Sequence, residues 1–226
     1  MSDPRETSDL DFADVPDPLG YPPKPADAAD VKAPSEASPT RAQRDRRTLV
    51  AEIIVGAWLL AAVFRLGVRE DLGLGLLVRV AVLCVAGLAA QRIAAAPGRA
   101  LGPRLRVVQA VVVAVPLVFA LVAMVGSRGP LDTGLEPAAL GPCFSTTLAV
   151  AAVPLGFAAL LHRHAFAVLP AWRGAALGAL GGLMAATVMC VHCTVDATPH
   201  VLLAHGAPIV VGALVGALLG ALVGKL

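Results

Sequence analysis

From residue 49 to the C-terminus the chain is divided into six long apolar runs, at about 49–68, 72–94, 105–126, 143–164, 174–193 and 203–225. A helix needs about 20 mostly apolar residues to cross the roughly 30 Å hydrocarbon core of a bilayer. No water satisfies backbone N–H and C=O groups there, so only helices and closed barrels span it. The runs lack the two-residue alternation of barrel strands and are far too long for them. The expected fold class is therefore all-α, a polytopic membrane bundle of six transmembrane helices. Composition agrees: 57% of the 226 residues are hydrophobic and 15% charged, against about 45–50% and about 25% in soluble domains.

Residues 1–48 are different material. The stretch VPDPLGYPPKPADAAD is typical of them, and nine acids stand against three bases in residues 1–40. So little apolar surface cannot offset the entropy of ordering, so a disordered acidic, Pro-rich tail is expected over 1–48, followed by a six-span domain over 49–226. Leu10-Asp11-Phe12 and Leu19-Gly20-Tyr21 are the segments best suited to ordering on a partner. An apolar signal-peptide core is missing from the tail, so the first run is expected to act as an uncleaved signal anchor. No basic stripe with interleaved aromatics occurs, and no direct nucleic-acid binding is expected.

Lys and Arg beside the spans set the orientation. With the N-terminus inside, the inner flanks hold Arg41, Arg44, Arg46, Arg47, Arg92, Arg99, Arg104, Arg106, Arg163, Arg173 and Lys225, and the outer ones only Arg65, Arg69 and Arg128. Both termini are thus expected in the cytoplasm, and MCVHCTVDATPH (residues 189–200) outside. Turn signals stand between the runs at Pro97-Gly98, Gly129-Pro130 and Pro199. Gly174, Gly178 and Gly182 repeat every four residues in the fifth run, as do Gly212, Gly216, Gly220 and Gly224 in the sixth. Residues four apart share a helix face, and glycine lets two backbones approach closely, so both series read as packing seams. Their partner is either within the chain or in a second copy, a homodimer. Pro116 and Pro154 lie inside spans three and four, where proline kinks a helix.

Polar chemistry concentrates at the outer end. Cys143 opens span four and Cys193 closes span five, both on the side where disulfides persist. Cys190 lies one turn below Cys193, and Cys84, in mid-span, reads as a small packing residue. A metal site drawn from Cys190, Cys193, His192, Asp196, His200 and His205 has suitable donor types. Its spacing is unspecific, since a single CxxC is followed by scattered histidines. A redox-responsive cysteine pair and simple interfacial polarity are the alternatives for the same residues. Ser145, Thr146 and Thr147 read as caps at a helix start. Glu52 and Arg79 are the charges inside spans, near enough to the ends to snorkel. His162 and His164 read as solvated flank. With no GxSxG, HExxH or paired carboxylates in a span, no catalytic residues and no enzyme activity are expected.

LGPCFSTTLAVAAVPLG, a basic inner loop, a glycine-rich fifth span, VHCTVDATPHVLLAHG and a glycine-rich last span together resemble the NrsF-type (negative regulator of sigma F) anti-sigma factors. The likeness is clear over about residues 138–226 and topological over the first three spans. It implies a bacterial inner-membrane protein that restrains an extracytoplasmic-function sigma factor in the cytoplasm until stress. It also implies a pair of periplasmic cysteines, which by motif are Cys143 and Cys193, with Asp196 as the acid after the second. Cys193 and Cys190, three apart on one helix, are poorly placed to bridge, so Cys143 is the expected partner. The long acidic tail departs from the short Leu-rich segment usual in that family. The expected function is a membrane-bound anti-sigma factor and stress sensor, with no resident cofactor and with transient soft-metal binding left open. A small metal or solute transporter and a purely structural membrane protein are the alternative expectations.

Overall fold

The computed structural model describes residues 41–95, 105–126, 135–162 and 169–223. Residues 1–40, the expected turns at Pro97-Gly98 and Gly129-Pro130, and Arg99, Arg104, Arg128, Arg163, His164, Gly224 and Lys225 lie outside them. The described residues are helical with short links and contain no strand. In order they form α1 (Arg41–Leu66), α2 (Leu74–Ala95), α3 (Leu105–Gly126), α4 (Pro137–His162), α5 (Pro170–His192), α6 (Thr198–His200), a π-helical segment (Val201–Gly206) and α7 (Ala207–Val223). The last three run on as one rod, and six segments are long and apolar enough to cross a membrane. The protein is a multi-pass, all-α membrane protein.

Several boundaries move outward from those read in the sequence. Helix α1 begins at Arg41, so RAQRDRR is helical and continuous with the first span. Span four begins at Pro137, not at Cys143, and span six at Thr198, not at residue 203. Proline explains two of these shifts. Its fixed φ and missing N–H suit the first turn of a helix, where that donor has no partner anyway. Pro137 stands at the first position of α4, and Pro199, read as a turn marker, lies in the first turn of α6. Leu169, just before Pro170, takes up a left-handed conformation (φ 57°, ψ 49°) that turns the chain into α5.

Helix α5 is the axis of the bundle. In its span 83% of residues are buried by protein, whereas in the span of α1 Ala62 is the single buried residue. Its sequence, PAWRGAALGALGGLMAATVMCVH, explains why: alanine and glycine dominate, and small residues let five neighbouring helices come close. Its Leu183 joins Leu83 of α2, Val115 and Phe119 of α3 and Ile209 of α7 in the main apolar cluster. On the other side, Ala185 and Val188 meet Ala62 of α1 and Val150 and Ala151 of α4. The Trp58 indole N–H of α1 donates to the Val150 carbonyl at 3.0 Å.

The glycine series of α5 and α7 face each other within this one chain. Gly174 meets Gly216 and Gly220, Gly178 meets Gly212, and Gly182 meets Pro208 and Ile209. A Cβ added at any of these glycines would run into the opposite backbone. The two helices therefore pack main chain against main chain.

Candidate functional site

The cysteine-bearing end of the bundle is where the links α1–α2 and α5–α6 meet the start of α4. Helix α5 stops at His192, and Cys193 turns extended (φ −72°, ψ 127°) while its N–H still bonds the Met189 carbonyl at 2.7 Å. This swings the Cys193 side chain off the helix and toward α4. Cys143 projects from the second turn of α4 to meet it, with the two Sγ atoms 3.8 Å apart. Both thiols are free. Burial, reinforced by the neighbouring Cys143 thiol, pushes the Cys193 thiol up to about 11. At neutral pH it is held as the neutral S–H.

Two histidines close around the thiols. His200 Nε2 lies 3.4 Å from Cys193 Sγ. His205 packs edge-on against the His200 ring, with centroids 5.4 Å apart and planes at 87°. Their relative placement depends on the π-helical segment. In an α-helix residues five apart point about 140° away from each other, at 100° per residue. A π-turn instead bonds residue i to i+5, here the Ala207 N–H to the Leu202 carbonyl, and stacks residues five apart. Thr147 fixes the turn to α4: its hydroxyl lies 2.7 Å from the Cys143 carbonyl and 3.2 Å from that of Ala204. Gly206 leaves room for the edge of the Phe119 ring, which a Cβ there would crowd. One donor atom from each of Cys143, Cys193, His200 and His205 falls within 4.8 Å of the other three.

A model of one protein family, described as NrsF: Negative regulator of sigma F, matches residues 34–224. The chain belongs to the NrsF family. Membership implies negative regulation of a sigma factor, and hence a sigma-factor partner. No curated protein and no solved structure matches the chain. The resemblance read from the last three spans thus extends over the whole bundle, while residues 1–33 precede the match.

Within this NrsF-family chain the sequence candidates divide into those the fold assembles and those it disperses. Cys143, Cys193, His200 and His205 come together. His200 and His205 are enclosed by protein, being 0% and 1% exposed. Cys190 stays on α5, packed against the main apolar cluster. Cys84 is exposed on α2 and not packed inside, because its neighbour Leu83 takes the inward face. His192 lies apart from the cluster, its Nδ1 3.1 Å from the Gly67 carbonyl. Asp196 pairs with Arg79 at 3.2 Å. The Arg79 side chain is 15% exposed, so it is paired within the bundle and not snorkelling alone. Glu52 accepts from the Gln91 amide at 3.4 Å. Ser145 and Thr147 donate back to carbonyls of their own helix, which begins well before them, and are not caps.

Arg69 is the residue that sequence reasoning counted only as an outer charge. Its guanidinium donates to the Cys193 carbonyl at 3.0 Å and holds Asp71, while its own N–H donates to the Val191 carbonyl at 3.0 Å. The Asp71 hydrogen bond raises the Arg69 pKa, and Arg69 in turn keeps the Asp71 carboxyl below its usual range. Together with His192 and Gly67, Arg69 clamps the α1–α2 link to the end of α5 beside Cys193. A lone arginine between two spans, next to an acid two residues on, is the signal available for it in the sequence.

Proposed function

We propose that the protein is a sensory restraint on its sigma factor, set in a bacterial inner membrane with both termini in the cytoplasm, and that Cys143 and Cys193 are its switch. One observation carries the reading: the two Sγ atoms lie 3.8 Å apart and join α4 to the α5–α6 link. A disulfide needs about 2.05 Å between sulfurs, so closure brings the two sulfurs about 1.8 Å nearer and pulls on the elements that carry them. The step is an oxidation in which two thiols give two protons and two electrons to a two-electron oxidant such as a peroxide. Arg69 carries the displacement on, since it holds the Cys193 carbonyl and the Val191 carbonyl at once. The pulled link leads into α1, the least buried span, whose other end follows the acidic tail. A covalent event at one end thereby biases what is held at the other.

The test is co-purification of the full-length protein with its sigma factor, reduced and after treatment with diamide. Reduced wild type retains the sigma factor and oxidised wild type releases it. Cys143→Ser and Cys193→Ser retain it in both states, whereas Cys84→Ser still responds. Equal retention by oxidised and reduced wild type overturns the switch.

A further inference from the structure

The thiol pair accounts for two of the four donors at the site and leaves the histidines unexplained. Neither ring nitrogen of His205 has a hydrogen-bond partner among the described residues, although the ring is 1% exposed. A buried imidazole without partners is uncommon, because leaving a buried polar group unsatisfied costs about 1–3 kcal/mol. The chain even adopts a π-turn to bring this ring beside His200. Such turns are rare and concentrate at functional sites.

The spacing of the donors points to what they hold. In a tetrahedral site with metal–sulfur bonds of about 2.3 Å, the two sulfurs lie about 3.8 Å apart. With a metal–nitrogen bond of about 2.0–2.1 Å, sulfur and nitrogen lie about 3.5 Å apart. The observed separations are 3.8 Å between Cys143 and Cys193 and 3.4 Å between Cys193 and His200. The His205 donor also falls within 4.8 Å of the other three.

We propose that Cys143, Cys193, His200 and His205 form a tetrahedral site for a divalent d10 cation, of the zinc or cadmium kind. Binding replaces the two thiol protons, which leave to solvent, and gives two metal–thiolate and two metal–imidazole bonds. The resulting unit of one dication, two thiolates and two neutral imidazoles carries no net charge. That neutrality suits a buried position at the end of the spans, where uncompensated charge is costly. It also selects a divalent ion over a monovalent one, which would leave a negative unit. Asp196 is committed to Arg79 and supplies no further charge to the cluster. Its regulatory meaning rests on the reading of Cys143 and Cys193 as the switch. The bound metal and the disulfide are alternative states of the same sulfurs.

The experiment uses the reduced, chelator-treated, full-length protein in detergent, with Co²⁺ as a spectroscopic probe. One Co²⁺ per chain is taken up with the absorption of tetrahedral thiolate coordination, two protons are released, and one equivalent of Zn²⁺ abolishes the signal. His200→Ala and His205→Ala each lose the tetrahedral spectrum, while His192→Ala keeps it. Wild type needs no substitution for a second arm: closing the disulfide abolishes cobalt uptake and reduction restores it. No uptake by reduced wild type overturns the site, as does uptake by the oxidised protein. A tetrahedral spectrum that survives in both histidine variants overturns it too. Co-purification on the same samples keeps the two ideas apart. Oxidative release of the sigma factor without metal uptake sinks the site alone. Metal uptake with no change in sigma-factor retention sinks the switch alone.

Discussion

Arg79 and Asp196 show how a charge inside a span is tolerated. Their side chains are 15% and 30% exposed, between the regime where ion pairs contribute almost nothing and the one where losing a partner is severe. A double-mutant cycle on Arg79→Gln and Asp196→Asn, read by thermal unfolding in detergent, should give a coupling of about 1 kcal/mol. A coupling indistinguishable from zero would mean that the two side chains reach water independently. The pair also marks where sequence reading reached its limit. Cys143 and Cys193 were legible, because a cysteine after GP and an HC-x-x-D element belong to a recognisable pattern. His200 and His205 were visible as residues but not as a pair. Regular helical winding sends them to different faces, and nothing in VLLAHG announces a π-turn. Asp196 was drawn into the metal candidates by nearness in sequence, whereas its partner lies 117 positions away in α2.

The α5–α7 seam brings two backbones together and is highly exposed to single substitutions. At Gly178 an added Cβ meets the backbone of Gly212, which cannot yield as a flexible side chain would. Gly178→Ala should destabilise the bundle by about 1–3 kcal/mol, as overpacking does in tight interiors. Gly156→Ala, in α4 with open space around it, should be neutral or slightly stabilising, since alanine favours helix. Thermal unfolding of the two variants side by side separates them, and equal effects would refute main-chain contact across the seam. The four-residue glycine repeat made both faces readable in advance. What it left open was the partner, because an α5 face seeking a glycine face could equally have found a second copy. The same rule failed at the helix starts. Proline was read as punctuation between elements, although at the first turn it belongs to the element it opens.

Across the described bundle, a buried axis is joined to a helix at its margin. Helix α5 is enclosed by protein, α1 lies at the margin, and Arg69 ties the link after α1 to the end of α5 beside Cys193. Arg69→Gln should therefore separate the two ends: the thiols still form their disulfide under diamide, but the sigma factor stays bound. Thiol titration and co-purification on one sample check this, and release as in wild type would show that Arg69 does not carry the signal. The six-span architecture was legible because the bilayer imposes one length on every crossing. The order of burial among the spans was not, because hydropathy alone does not separate a helix facing lipid from one facing other helices. The π-turn adds a consequence of another kind. Removing one residue from VLLAHG would let the rod wind regularly, leaving its hydropathy and its capacity to cross the bilayer almost unchanged. Yet Thr198, Pro199 and His200 would rotate by about 100° against the α5–α7 seam, and the four donors would part. The proposed site is thus encoded by a residue count as much as by residue identity, and a relative one residue shorter there would cross the bilayer equally well and lack it.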